Sequence, residues 1–491
     1  MSWEEPDPAE LLVLGSDADW RSLLDRYPCV NSLPLERCLE VARLGGASTV
    51  AIETRYIDRD YRSEFSTFYS RAFGPVPNSA HRLHFFRSPL AQHQIWDLPA
   101  NSGYLGYVVI RPSELGRVGR AVLKPPPGLD DAVRVKIKDP VNFFGQPLTV
   151  EGMPFVQQDT QLGRCAHAGI WMCHYLAYRR GDVERKTMAE VSLSADPGLG
   201  MGRPLPSSGL TVQQLLELLR IFGLPPIFYD IENLPSSPAA PWSQPPRRPS
   251  AKIRKKHPGL WDTRIFRICC RYLNSGFPFL VTTEDHVFVL CGYRRRPRSG
   301  AGDWIEFIRH DDQRGPYLAV NDVFADQYAP WQSLIVPLPD KLWLPPDPVE
   351  RQAADLLEGL AHRVEAEIPE SADFLKRVRR KRMALRTYAI PSNEFKFALK
   401  GRVDDTLCRE YRVARLSRFI WVAEAIDRDL RLAGKPAVVG EAIFDATSSE
   451  HSPTWLALHT PGVAVIAKSD GGIRPVRCGP SPYLSGGVGA P

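Results

Sequence analysis

The chain has 491 residues, 43% hydrophobic and 24% charged, with a formal net charge of +6; this is material for two to four globular domains at roughly 100–200 residues each, and the charge is too mild to demand a polyanionic partner. Its nine cysteines are an odd number without a CxxC pair, which argues against a disulfide framework and a structural zinc. The acidic start "MSWEEPDPAELLVLGSDADW" lacks the basic-then-apolar order of a signal peptide, and no apolar run reaches the about 18 residues of a membrane span, so the expectation is a cytoplasmic protein with reduced thiols and no membrane segment.

The predicted fold class is α+β. Residues 1–148 read as an N-terminal α+β module: "PLERCLEVARLGG" is a helix stopped by glycine, and "STVAIETRYI", "RLHFF" and "SGYLGYVVIRP" are strands. "DRDYRSEFSTFYSRAFG" carries aromatic residues at helical spacing. "GRVGRA" has too few glycines for a coenzyme A pyrophosphate loop and reads as strand and loop. Between 149 and 340 an apolar helix follows Cys165, and "SGLTVQQLLELLRIFGLPPIFYDI" gives a helix, a glycine stop and a strand. "DTRIFRICCRYLNSG" is a further helix, and "FPFLVTT", "HVFVLCGY" and "DWIEFIRHD" are strands. Residues 233–259 form a Pro-rich, basic insertion with little capacity to build a core. The stretch 341–388 reads as a helical linker, helical from about 348 to 387. Residues 389–478 read as a C-terminal α+β module with an amphipathic helix, "RLSRFIWVAEAIDRDLRLAG", and 479–491 as a disordered tail.

The chemistry concentrates in "QQDTQLGRCAHAGIWMCHYL". A cysteine attacks as the thiolate, and the positive end of a helix together with a nearby imidazolium lowers its pKa. Cys165 falls at or near the first turn of its helix, whereas Cys173, two turns on, and the adjacent Cys269 and Cys270 read as packing. His286 opens "HVFVLCGY", where a period of two puts His286, Phe288 and Leu290 on one face, suited to meet a cysteine on a packed helix. "RHDDQRGPY" then offers Asp311 or Asp312 to hold the imidazole. An amide just before the nucleophile would steady an oxyanion: Gln158, with Gln157 and Gln161 as competitors.

This order (glutamine loop, cysteine-led helix, helices, strand, His-led strand ending "GY", strand and Asp) resembles the papain-like cysteine peptidases over about residues 150–340. The closest likeness is to the peptidase domains that process double-glycine leader peptides for bacterial export transporters. The resemblance implies a papain-like core flanked by two α+β modules. It also implies a Cys-His-Asp triad of Cys165, His286 and Asp311, with Gln158 as oxyanion donor and no cofactor or metal. The substrate would be a peptide or isopeptide bond in a protein or peptide tail, cleaved through an acyl-enzyme. Three positions depart from the family pattern: Ala166 replaces a glycine, Asp285 stands where a glycine is common, and Gln158 lies seven residues before Cys165 rather than six.

Other readings stay open from the residues. With an amine as acceptor, the same chemistry is an acyl transfer. An inactive papain-like adaptor would use the basic runs "PPRRPSAKIRKKH", "YRRRPRSG" and "KRVRRKR" to hold an acidic protein partner. Such runs are more often solvated faces, and without interleaved aromatic residues they lack the stacking platform of a single-strand binder, so nucleic acid is not an expected partner. His167 and His174 with Cys165 and Cys173 hint at a metal, but residues 165 and 167 point about 200° apart on a helix.

Overall fold

The computed structural model describes residues 9–99, 101–194, 209–234, 242, 263–296, 304–320, 331–449, 452–468 and 470–479. The chain divides into two compact units: residues 1–233, 276–298 and 304–339 form the first, and 234–275, 299–303 and 340–491 the second. Both combine helices with antiparallel sheets, an α+β architecture.

In the first unit, strands β1 (Ala9–Val13), β2 (Thr49–Tyr56), β3 (Ala80–Phe86), β4 (Tyr104–Ile110) and β5 (Val118–Leu123) run as an antiparallel meander. Strands β6 (Ile137–Phe143) and β7 (Gln146–Gly152) form a separate hairpin, and β8 (Pro154–Phe155) completes the first sheet by pairing with β5. Residues on β6 alternate strictly between buried and exposed, the pattern of a strand covered on one side. Its turn places Phe144 and Gly145 at φ 47° and 86°, the pair of left-handed residues a tight hairpin needs. Gly106 is obligatory in another way: a Cβ there would lie 2.2 Å from the Val122 carbonyl oxygen. Segments that read as successive modules, 1–148 and 149–340, thus share one unit through the β5–β8 pairing.

Helices α1 (Asp17–Asp25), α2 (Leu33–Leu44) and α3 (Arg59–Thr67) belong to the same unit, with α4 (Cys165–Arg180), α5 (Met188–Ser194) and α6 (Val212–Ile221). Caps set their starts: Asp58 Oδ1 accepts the Asp60 and Tyr61 N–H groups at 3.0 Å each at the head of α3. The second sheet has the order β13-β12-β11-β10-β14-β9, every pairing antiparallel. Its strands are β9 (Pro226–Asp230), β10 (Phe279–Thr282), β11 (Val287–Arg296), β12 (Trp304–Asp311), β13 (Gly315–Val320) and β14 (Ser333–Pro337). Buried Tyr317 ties this sheet to the first, donating its hydroxyl to the Leu123 carbonyl and accepting the Met153 N–H, each at 2.8 Å. Arg37 of α2 donates to the carbonyls of Pro316 (3.1 Å) and Tyr317 (2.7 Å).

The second unit is built on one meander, β15 (Met383–Pro391), β16 (Phe419–Asp427), β17 (Val438–Asp445), β18 (Trp455–Thr460), β19 (Val463–Ala467) and β20 (Ile473–Arg477), in sequence order. Two expectations are corrected here. The helix predicted over 348–387 is two helices, Pro346–Val364 and Pro369–Arg379, and Met383–Pro391 is a strand. Pro369 supplies no N–H and restricts the residue before it, so the first helix cannot run through. The helix predicted over "RLSRFIWVAEAIDRDLRLAG" is β16, all nine residues buried, with only Arg428–Leu432 helical. An inner strand covered on both faces is apolar throughout, and its period is hard to tell from that of a buried helix.

The helix Thr263–Asn274 also belongs to the second unit, outside the unit that carries Cys165. The basic run "KRVRRKR" begins in the last turn of Pro369–Arg379 and runs past its end, where cations complement the helix dipole; Lys376 bonds Asp373 at 3.0 Å and Arg377 pairs with Asp427. The insertion at 233–259, beyond 233, 234 and 242, and the tail beyond 479 lie outside the described residues. Among the described residues no helix is long and apolar enough to cross a membrane.

Candidate active site

Cys165 is the first residue of α4, and the loop before it is held by one carboxylate. Asp159 Oδ1 accepts the N–H groups of Gln161 (3.1 Å), Leu162 (2.9 Å) and Gly163 (3.0 Å), while its Oδ2 accepts the Tyr69 hydroxyl at 2.6 Å. The Arg164 N–H, at the N-cap, donates to His167 Nδ1 at 3.3 Å. That bond assigns His167 to capping, and burial pushes its pKa down to about 4. His174 is also buried and pushed down to about 4, with its ring edge-on to Phe222.

His286 immediately precedes β11. Its Nε2 lies 3.2 Å from Asp311 Oδ1 and 3.8 Å from Asp312 Oδ1, and all three residues are buried. Asp311 reaches the ring because the β12–β13 register slips between Arg309 and Asp311, a bulge that re-aims side chains. His310 accordingly points elsewhere, its Nδ1 3.2 Å from the Pro154 carbonyl and its ring against Tyr317 and Phe155.

The sulfur of Cys165 lies beside the start of β11. It takes a hydrogen bond from the Val287 N–H, next to His286, and feels the charges of Asp312 and Asp311. The approach is made around the strand's tip. Val287 and Val289, not the face shared by His286 and Phe288, turn toward α4: a Cβ on Gly169 would sit 3.7 Å from each valine and 2.5 Å from Leu280. The expected depression of the thiol pKa is not what this geometry gives. Burial, with Asp312 adding, pushes Cys165 up to about 12 against the opposing pull of the Val287 and Ala166 amides.

The carboxylates diverge. Burial would raise Asp311, but the His286 bond outweighs it and holds Asp311 below the ordinary range, with Arg309 adding. Burial and the neighbouring Asp311 push Asp312 well above it. Asp311 is therefore the ionised partner of the imidazole and fixes its proton on Nε2, leaving the lone pair on Nδ1.

The glutamines separate as well. Gln157 is committed at both ends of its side chain, Oε1 accepting the Val118 N–H (3.0 Å) and Nε2 donating to the Asn31 carbonyl (2.9 Å). Gln158 is half-buried, and its side chain makes no hydrogen bond among the described residues. Gln161 is held through its backbone. Sequence reasoning missed two residues that continue the Gln157 bond: Asn31 Nδ2 donates to the Gln313 carbonyl (2.9 Å), and Gln313 Nε2 lies 3.4 Å from His286 Nδ1. It also missed buried Arg111, whose guanidinium holds Glu64 (3.1 Å) and the Gln157 carbonyl (2.7 Å), fixing the glutamine loop to α3 and β4. No local pattern marks these residues, since their partners lie 27 or more positions away.

His286, Asp311 and Asp312 offer one imidazole nitrogen and two carboxylate oxygens within 4.8 Å of one another, a donor set of the kind divalent cations accept. Comparison of the chain with protein-family models, curated proteins and solved structures finds no match in any of the three.

Proposed function

We infer that the first unit is a thiol hydrolase of papain-like architecture, a cysteine peptidase acting on a peptide or isopeptide bond in a protein or peptide tail. The observation that carries this reading is a helix-leading cysteine bonded to the Val287 amide, the residue next to an imidazole that lies 3.2 Å from Asp311. The resting sulfur is a thiol rather than a thiolate, because burial pushes Cys165 up to about 12. His286 Nδ1 then takes the sulfur's proton as sulfur attacks the carbonyl carbon, and Asp311 steadies the imidazolium. Gln158 and the Cys165 N–H would receive the oxyanion. The imidazolium protonates the departing amine as the C–N bond breaks, and water, deprotonated by the same ring, releases the thioester. All nine cysteines are free, which suits a reducing, cytoplasmic setting.

A second reading rests on that same upward shift: an inert, half-buried thiol suits a non-catalytic adaptor on the same scaffold. Labelling the native protein with a thiol-reactive peptide electrophile between about pH 5 and 9 separates the two. The peptidase should be modified at Cys165 ahead of the other cysteines, and His286→Ala should slow that reaction. Slow labelling of all nine, indifferent to His286→Ala, would reject the enzyme. Sequencing new protein termini in cells carrying wild type or Cys165→Ala would then identify the substrate.

A further inference from the structure

A concavity of the first unit lies among β2, β3, β4, β5, the second half of α4 and the β6–β7 hairpin, with a volume of about 460 Å³. That is within the roughly 300–1,000 Å³ typical of small-ligand sites. Four guanidinium groups line it, from Arg82, Arg120, Arg179 and Arg185, against two lining carboxylates, Glu53 and Asp139. Two further acids, Asp58 and Asp60, are not on the wall; they hold Arg120 (2.9 Å) and Arg185 (2.6 Å) in place.

Each arginine is anchored at part of its fork rather than consumed. Arg82 donates to Glu53 (2.5 Å) and to the Asn142 carbonyl of the hairpin (2.6 Å), and Arg179 sits 2.9 Å from Asp139. The buried Nε atoms of Arg120 and Arg185 donate no hydrogen bond among the described residues. Each of the four is held by an acid, and each also borders open volume. Aromatic rings complete the wall. The Arg82 guanidinium lies 3.9 Å over the Tyr56 ring, and half-buried Tyr56 and Tyr178 both line the cavity.

We propose that this cavity binds a small organic phosphate of nucleotide type, its phosphate oxygens taken by the arginine forks and its ring laid against Tyr56 or Tyr178. Planar guanidinium groups match phosphate oxygens in pairs, which ammonium groups do not. Tyrosine faces take an uncharged ring. The site is separate from Cys165 and does not depend on the peptidase reading.

Calorimetry of the full chain with ADP, inorganic phosphate, adenosine and citrate tests it. ADP should bind, phosphate more weakly, and adenosine and citrate far more weakly than ADP. Arg179→Ala should weaken ADP roughly 10- to 100-fold, the worth of a charge-assisted contact. Should that variant fail to fold for want of a partner to Asp139, Arg179→Lys keeps the charge, loses the fork and should still weaken ADP. Absence of ADP binding, equal binding of citrate or adenosine, or unchanged ADP affinity in the folded Arg179 variant overturns the proposal.

Discussion

Each unit buries a pair of carboxylates in equally dry surroundings, and the two pairs are wired to opposite ends. In the second unit Glu424 and Glu441 face each other across β16 and β17, both fully buried. Arg402 donates to both, at 2.7 and 3.2 Å, and Arg386 (2.7 Å) and the Tyr388 hydroxyl (3.0 Å) complete Glu424. In the first unit Asp311 and Asp312 share one imidazole, and Asp311 Oδ2 and both oxygens of Asp312 accept no hydrogen bond among the described residues. A guanidinium never gives up its proton in a protein, so the glutamate pair is a fixed clamp. An imidazole does, and its two aspartates are driven apart in pKa, the arrangement that separates an ionised role from a neutral one.

The contrast can be broken most sharply at the reacting atoms. Cys165→Ala should abolish hydrolysis of the substrate found by terminus sequencing, a loss on the order of a million-fold in kcat. Asp311→Asn, which allows the wrong tautomer, should cost roughly 10⁴-fold with little change in melting temperature. Glu424→Ala should do the reverse. Stranding Arg402 and Arg386 should lower stability by about 3–5 kcal/mol in denaturant titrations while leaving the labelling rate of Cys165 unchanged.

Acid should also distinguish the units. Burial lowers His84, His167 and His174 to about 4 and His310 to about 3 in the first unit, and His459 to about 3 in the second. Their folded pKa values lie below the unfolded value of about 6.5, so the unfolded chain takes up protons first. The stability is present in full above pH 6.5 and is lost as pH falls toward 4 and then 3. The first unit should melt before the second when followed by hydrogen exchange in mild acid. The smallest effect concerns Asp312→Asn. The carboxylate raises the thiol pKa, so its removal should lower it, and labelling of Cys165 should quicken several-fold.

What the sequence made legible were local signals: the glycine stop of α2, the cysteine at the head of α4, and a histidine at the mouth of an apolar strand. The illegible parts depend on distance. Period-two counting grouped His286 with Phe288 and put that face toward the helix, whereas Val287 and Val289 pack there, since the alternation alone does not say which face of a strand meets a distant helix. The choice between Asp311 and Asp312 turns on a bulge, which no composition reveals. The choice among glutamines turns on Asn31 and Val118, which occupy both ends of Gln157. The β16 segment misled because apolar residues on both faces erase the period that would identify a strand.

The path of the chain has a practical corollary. It leaves the first unit after residue 233, contributes the helix Thr263–Asn274 to the second, and returns at 276 to lay down β10 and β11. Arg271 of that helix bonds Glu350 (2.8 Å) and Asp347 (2.6 Å), so a fragment starting at 340 would strand two acids without their cation. No single cut yields both halves intact. During synthesis, β9 must wait for β14 before it gains a neighbour, so the second sheet closes only after a piece of the other unit has already been made.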